Sequence, residues 1–312
     1  MMTETFFAST IILLLALIMD RVLGEPKSWH PLITFGRWVD QCQAWCQLPL
    51  SWSAFSQRLF GVFAWLLAVV PLLLLWELLE SLLPTLILNA LAVVIVYFSI
   101  GWQSLREHGL AIANPLLKGD LIQARIAVSY IVSRDTDSLN EEQVAKAGIE
   151  SVLENGSDAV FAPIFWFLIL GVPGAILYRL ANTLDAMWGY KTNKWLHFGW
   201  CAARVDDVLN YLPAKLVVFS YALCGQYSNA MQAARAPEAS WKSPNAGPVM
   251  AAGAASLGLA VGGEAVYFGK TESRPVLGKG EVPQAKDLVR SITLVDKTLY
   301  LWFLSVAFIA LF

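Results

Sequence analysis

Charge is scarce in this chain. Of 312 residues only 15% are Asp, Glu, Lys or Arg and 57% are hydrophobic, against about 25% and about 45–50% in soluble domains. That balance excludes an ordinary soluble enzyme and describes an integral membrane protein. The net charge of −2 lacks the basic excess that a nucleic-acid partner demands. Cysteine is also sparse: Cys42, Cys46, Cys201 and Cys224 have no CxxC spacing, which excludes a common zinc pattern and leaves structural thiols. No Walker A, HExxH or GxSxG pattern occurs, and Gly278-Lys279-Gly280 has neither the spacing nor the hydroxyl of a phosphate loop. The first five residues contain no Lys or Arg, so the apolar run behind them reads as a retained helix and not a secretory signal.

Long apolar runs are what the chain has in abundance. Residues 3–22 reach the ~20 residues that a span needs, and 59–83 with 85–102 form a helical hairpin hinged at Pro84. The polar stretch 103–157 keeps apolar residues at helical spacing (Leu121, Ile122, Ala124, Ile126, Ala127) and reads as a soluble helical insertion. Residues 160–180 are apolar but broken by Gly171-Val172-Pro173-Gly174, which suits a re-entrant or buried segment. A further membrane candidate is 208–224. The small residues of 246–263 fit a helix packed inside protein, and 300–312 forms an anchor that must begin near Leu294 to span. The expectation is an all-α polytopic membrane protein, a single unit over 1–312 with about five to seven membrane segments. Lys and Arg collect in the loops 20–58, 103–157 and 264–297, which the positive-inside rule puts in the cytoplasm.

Against this background the polar residues stand out, because charge at membrane depth is expensive and marks function. Glu150, Glu154 and Asp158 recur every four residues, stack on one helical face beside Ser151 and Asn155, and run straight into an apolar stretch. A solvated acidic face is the alternative reading. Farther on, Asn182 with Asp185, and Arg204 with Asp207, Asn210 and Tyr211, share helical faces, while the adjacent Asp206 and Asp207 point to different ones. One or two such carboxylates suit magnesium escorting a nucleotide; structural ion pairs are the alternative. Arg134 in Ser133-Arg134-Asp135-Thr136, Lys191, Lys215, and Lys242, Ser243 and Asn245 offer charge, hydroxyl and turn backbone for phosphate. His30 lies among Asp20, Arg21 and Glu25, either as a functional residue or as a hydrogen-bonded structural one.

Several of these stretches occur together in a known family. DRVLGEPKSWHPLITFGR (20–37), SRDTDSL (133–139), ESVLENGSDAVFAPIF (150–165), 178–191, ARVDDVLNYLPAKL (203–216) and Ser243-Pro244-Asn245 closely resemble, in order and spacing, the adenosylcobinamide-phosphate synthase family of cobalamin biosynthesis. Two departures are visible: Ala159 where the family usually has Gly, and Lys215 where Arg is common. Lys keeps the charge but loses the bidentate fork.

The resemblance implies ATP-dependent amide formation between adenosylcobyric acid and 1-amino-2-propanol O-phosphate, in a multi-pass protein of the bacterial inner membrane with its active site facing the cytoplasm. It implies magnesium (Mg2+) and ATP, with lipid and other late enzymes of the pathway as surroundings. Glu154, Asp158, Asp185 and Asp207 fit the catalytic roles, and Glu154, Asp158, Asp206 and Asp207 the metal. His30, Arg134, Asn155, Asn182, Lys191, Arg204, Asn210, Lys215, Lys242, Ser243 and Asn245 fit substrate and phosphate binding. A transporter and a non-catalytic signalling relative are the rival readings. The polar motifs adjoin large loops rich in Asn, Ser and Lys, and ENGSD, NTLD and RVDD are all retained, which favours the enzyme.

Overall fold

Helix starts and stops follow local chemistry. Pro84 separates α3 (Ala54–Leu82) from α4 (Thr85–Ser99), since a proline supplies no N–H to continue the first and its fixed φ opens the second. The side chain of Ser53 accepts the Ser56 N–H to start α3. Before these lie α1 (Met2–Leu23) and α2 (Pro31–Cys46); after them come α5 (Trp102–Leu117), α6 (Leu121–Ser129) and α7 (Glu141–Gly156), the last opened by a capping box between Asn140 and Gln143. A π-helical turn (Ser157–Phe161) leads into α8 (Ala162–Trp188), followed by α9 (Trp200–Leu223), α10 (Tyr227–Arg235) and α11 (Ala246–Ser256). Four three-residue strands make two antiparallel pairs, β1 (Ala260–Gly262) with β4 (Val276–Gly278) and β2 (Ala265–Tyr267) with β3 (Lys270–Glu272), before α12 (Ala285–Leu311). This computed structural model describes residues 2–26, 29–47, 49–236, 243–267 and 269–311.

Among the described residues five stretches are long and apolar enough to cross a membrane: Phe6–Leu23, Ala54–Leu82, Thr85–Leu117, Glu141–Trp188 and Ala285–Leu311. The outer face of α3 exposes Leu59, Phe63, Leu66, Val70, Leu74 and Leu78 at helical spacing. So large an apolar stripe is tolerable when its solvent is lipid. The chain is a multi-pass helical membrane protein. α9 forms where a membrane segment is expected over 208–224, but it is not among the five, because Arg204, Asp206, Asp207 and Lys215 dilute its apolar content.

The helices gather into two compact units, Met1–Gly101 with Ala162–Asn210, and Trp102–Phe161 with Tyr211–Phe312. In the first, α1 packs on α4, α2 on α3, and α8 on α3 and α4, around a core that includes Ala64, Ala68, Ala181, Leu184, Trp188 and Phe198. α8 is a hairpin. Gly171 takes φ 67°, open to glycine but not to a side chain at this turn. A Cβ on Gly174 would fall 2.2 Å from the Trp166 carbonyl oxygen, whereas residues eight apart in an unbroken helix are about 12 Å apart. The chain therefore doubles back at this turn.

In the second unit α7 packs against α5, α11 and α12, and its central residues Val144, Ala145, Ala147, Ile149, Val152 and Leu153 are buried. The small residues of α11 are buried as expected, with Gly253 so close to Leu153 that a Cβ would fall 2.7 Å from its side chain. The helix stops at Ser256, however, and 260–262 pairs as β1. α12 starts at Ala285, well before Leu294. Its first half buries polar groups that satisfy each other: Asp287 accepts from Arg290 and the Gln284 N–H, and Asp296 accepts from Trp102 and Arg106.

Candidate active site

The densest polar constellation lies in the second unit. The carboxylate of Glu150, only 3% exposed, sits mid-way along α7 and accepts from three places distant in sequence. One oxygen takes Arg134 from the 131–140 loop and Arg274 Nη2 at 2.8 Å; the other takes the Gly262 N–H of β1 at 2.7 Å. Arg274, 6% exposed, also donates to the Tyr267 hydroxyl at 3.3 Å. Burial works against its charge, but the adjacent Glu150 carboxylate outweighs burial and raises its pKa above the ordinary arginine value. Asp135 ties the same loop to the strands, accepting the Gly269 N–H at 2.7 Å while its own N–H donates to the Val266 carbonyl.

Arg134, Glu150, Tyr267 and Arg274 wall a cavity of about 300 Å³ that is also lined by Ser151, Glu154, Asn155, Ser243 and Gly247. Asn155 is held by its own helix, donating to the Ser151 carbonyl and hydroxyl at 2.9 and 3.1 Å. The Ser243 hydroxyl accepts the N–H groups of Asn245 and Ala246 at 3.2 Å, so Ser-Pro-Asn acts as a cap that points the start of α11 at the cavity. Two members of the expected acidic stripe, Glu150 and Glu154, face this space. Asp158 does not line it: the π-helical turn widens the helical step, and the four-residue stripe loses register there.

The first unit carries a second cluster where α8 meets α9. Asp206 accepts from Asn182 at 3.2 Å and from Asn210 at 3.0 Å, and Asn210 in turn accepts the Tyr178 hydroxyl at 2.8 Å. Burial raises the Asp206 pKa against the pull of the two amides, and the neighbouring Asp207 raises it further. Burial also raises that of Asp207, opposed by the exposed Arg204, 3.5 Å away, and by Lys191. Asp185 feels the charges of both aspartates.

The remaining expected residues are placed as follows. His30 is buried and caps α2, its Nδ1 accepting the Leu32 N–H at 3.2 Å and its ring edge-on to Phe98. That is a structural task. Lys215 is on the exposed side of α9 with its ammonium 5.4 Å from the centre of the Tyr211 ring. Lys242 lies outside the described residues. Among the described residues no three Asp, Glu, His or Cys side chains are disposed to hold a metal. The four carboxylates expected at the metal divide two and two between the units. A magnesium ion that arrives with a nucleotide asks less, one or two carboxylates plus phosphate oxygens and water, and Asp206 with Asp207 meets that smaller demand. Arg274 and Tyr267 are not marked out by the sequence. They lie in a strand-and-turn segment without helical periodicity, and the only hint was an arginine amid the glycines of 262–280.

The family pattern described as "CobD/Cbib protein" matches residues 13–295. A protein of Stutzerimonas stutzeri named "Cobalamin biosynthesis protein CobD" is 51% identical over 294 residues, covering 94% of this chain and 95% of the relative. One of Chromobacterium violaceum with the same name is 49% identical over 308 residues, covering 94% of each, and one of Geobacter metallireducens 35% identical over 285, covering 86% of each. No solved structure matches the chain.

Proposed function

This chain belongs to the CobD/Cbib family of cobalamin biosynthesis proteins, and from that premise we propose that it is a membrane-bound adenosylcobinamide-phosphate synthase. It joins the free carboxylate of adenosylcobyric acid to the amine of aminopropanol phosphate at the expense of ATP. What carries the reading is the reach of the family match: residues 13–295 include every candidate site residue.

The chemistry must make a poor electrophile reactive. A carboxylate oxygen attacks the terminal phosphorus of ATP and ADP leaves, giving an acyl phosphate. The ammonium gives one proton to a base, the amine attacks the acyl carbon, and orthophosphate departs with the second proton as the amide forms. Glu154, half-buried at the cavity, is suited to the base role. Lys191 and Arg204 stand beside Asp207 at a cluster able to receive a triphosphate. Magnesium would neutralise phosphate charge there, with Asp206 and Asp207 as its protein ligands. The basic loops support a cytoplasmic active site in the bacterial inner membrane. On that orientation cysteines introduced at Gln143 and Lys279 should resist impermeant thiol reagents in intact cells, and labelling from outside would reverse it.

The deciding assay uses purified full-length protein in detergent with adenosylcobyric acid, aminopropanol phosphate, ATP and magnesium. Mass spectrometry should show the corrinoid amide, dependent on each component. Folded protein that yields no amide from the complete mixture would overturn the proposal.

A further inference from the structure

We propose that the second unit holds a binding site for a single ordered water molecule between Ser157 and Thr298, where the π-helical turn packs on α12. Both residues belong to membrane-spanning stretches and are 1% and 0% exposed. Neither hydroxyl has a hydrogen-bond partner among the described residues. Two orphaned hydroxyls are costly at a depth that bulk water does not reach.

The usual escape is taken by neither. A serine or threonine within a helix commonly donates to the carbonyl four residues back, as Thr293 and Ser305 do on α12 itself and Ser99 and Ser220 do elsewhere. For Ser157 that carbonyl belongs to Leu153, which already accepts the Ser157 N–H and, at 3.1 Å, the Tyr221 hydroxyl. Its two lone pairs are taken. Thr298 differs from Thr293 and Ser305 in not turning back on its own helix, so its hydroxyl is aimed elsewhere.

Packing brings the two hydroxyls to the same place. A Cβ on Gly148 would fall 3.0 Å from the Leu288 side chain and one on Gly156 3.0 Å from that of Val295, and the rings of Phe161 and Trp302 are 5.1 Å apart. The chain from α7 through the π-helical turn therefore keeps step with α12 in the same direction. Thr298 lies three residues after Val295 and four before Trp302, on the face that meets this chain, while Ser157 follows Gly156 and precedes Phe161 by four. The hydroxyls are opposed yet not bonded to each other, which is the spacing that one water bridges. Water also suits the chemistry, because a hydroxyl asks for both a donor and an acceptor and carries no charge. The π-helical turn, whose main-chain bonds reach the fifth residue instead of the fourth, skips one carbonyl. That carbonyl completes the roughly three bonds of a buried water.

Deleting one hydroxyl at nearly constant shape has opposite signs at a wet and a dry contact. In thermal unfolding of the full-length protein in detergent, Thr298→Val and Ser157→Ala should each lower the midpoint by a few degrees, because the water loses a partner and the opposite hydroxyl still needs one. The double variant should lose less than the two single losses together. A midpoint that rises or stays put in either single variant, or losses that simply add, overturns the proposal; if Ser157→Ala fails to fold, the sign in Thr298→Val decides. A diffraction map that resolves ordered water should show a peak within hydrogen-bond distance of Ser157 Oγ and Thr298 Oγ1, and a direct bond between the two or a dry contact contradicts it. Replacing sodium and potassium with choline should leave the wild-type midpoint unchanged. A fall that is absent from Thr298→Val would give the place to a metal cation and overturn the water.

Discussion

The two polar clusters are built on opposite principles. Asp206 in the first unit accepts from neutral amides of its own and the adjacent helix, while Arg204 and Lys191, the exposed cations of this cluster, act on its neighbour Asp207. Glu150 in the second unit is buried with two arginines from loops 16 and 124 residues away. Amide partners leave a carboxylate free to exchange charge with whatever arrives, whereas a buried arginine pair commits it. The first arrangement suits transient phosphate and metal traffic, and the second a fixed pocket.

The largest expected effect is on the committed cluster. Glu150→Ala removes the buried carboxylate that Arg134 and Arg274 share and should cost about 3–5 kcal/mol of stability, read as a fall in the thermal midpoint in detergent. A loss below ~1 kcal/mol would mean that water already screens the arginines and the contrast is false. Next is the hairpin of α8, where Gly174→Ala puts a Cβ 2.2 Å from a carbonyl oxygen and should cost about 1–3 kcal/mol as the turn opens. Unchanged unfolding would show that the two arms part freely.

Asp206→Asn and Asp207→Ala probe the exchangeable cluster. Each should cost no more than about 1 kcal/mol of stability while cutting amide formation by at least about 100-fold, a few kcal/mol of transition-state stabilisation. Near-normal turnover in both would remove the magnesium role from this cluster. The smallest effect is at His30. Burial, its largest influence, lowers its pKa; Glu25 opposes this and Arg179 adds to it. Its capping contribution is thus fully present above the unfolded value of about 6.5 and is lost as pH falls through the lower folded value. His30→Asn, which caps without titrating, should flatten that mild-acid slope in thermal unfolding. An unaltered slope would assign it to other groups.

Much of this is legible in the sequence. Pro84 between two apolar runs, and Gly171-Val172-Pro173-Gly174 within another, carry their structural meaning in the backbone chemistry of proline and glycine, and both turn the chain where expected. The small residues of 246–256 announced a buried helix for the same local reason. What stayed hidden depends on partners distant in sequence. The start of α12 was obscured because Asp287, Ser291 and Thr298 interrupt its apolar pattern, and only packing reveals that they are buried. The acidic stripe was visible as a period of four, but the π-helical turn that separates Asp158 from it is not encoded by any simple periodicity. Arg274 has no local signal beyond the glycines around it, since its meaning is the carboxylate of Glu150, 124 residues away.

On the proposed ligation one chain activates a corrinoid carboxylate with ATP and passes it to a phosphorylated amine. A heavy-oxygen label placed in the free carboxylate of adenosylcobyric acid follows that transfer atom by atom, with product amide and released orthophosphate weighed from the same reaction. The expected result is one labelled oxygen in orthophosphate for every amide formed, and none in ADP. Amide formed with unlabelled orthophosphate, or ATP consumed with no corrinoid product, would contradict it.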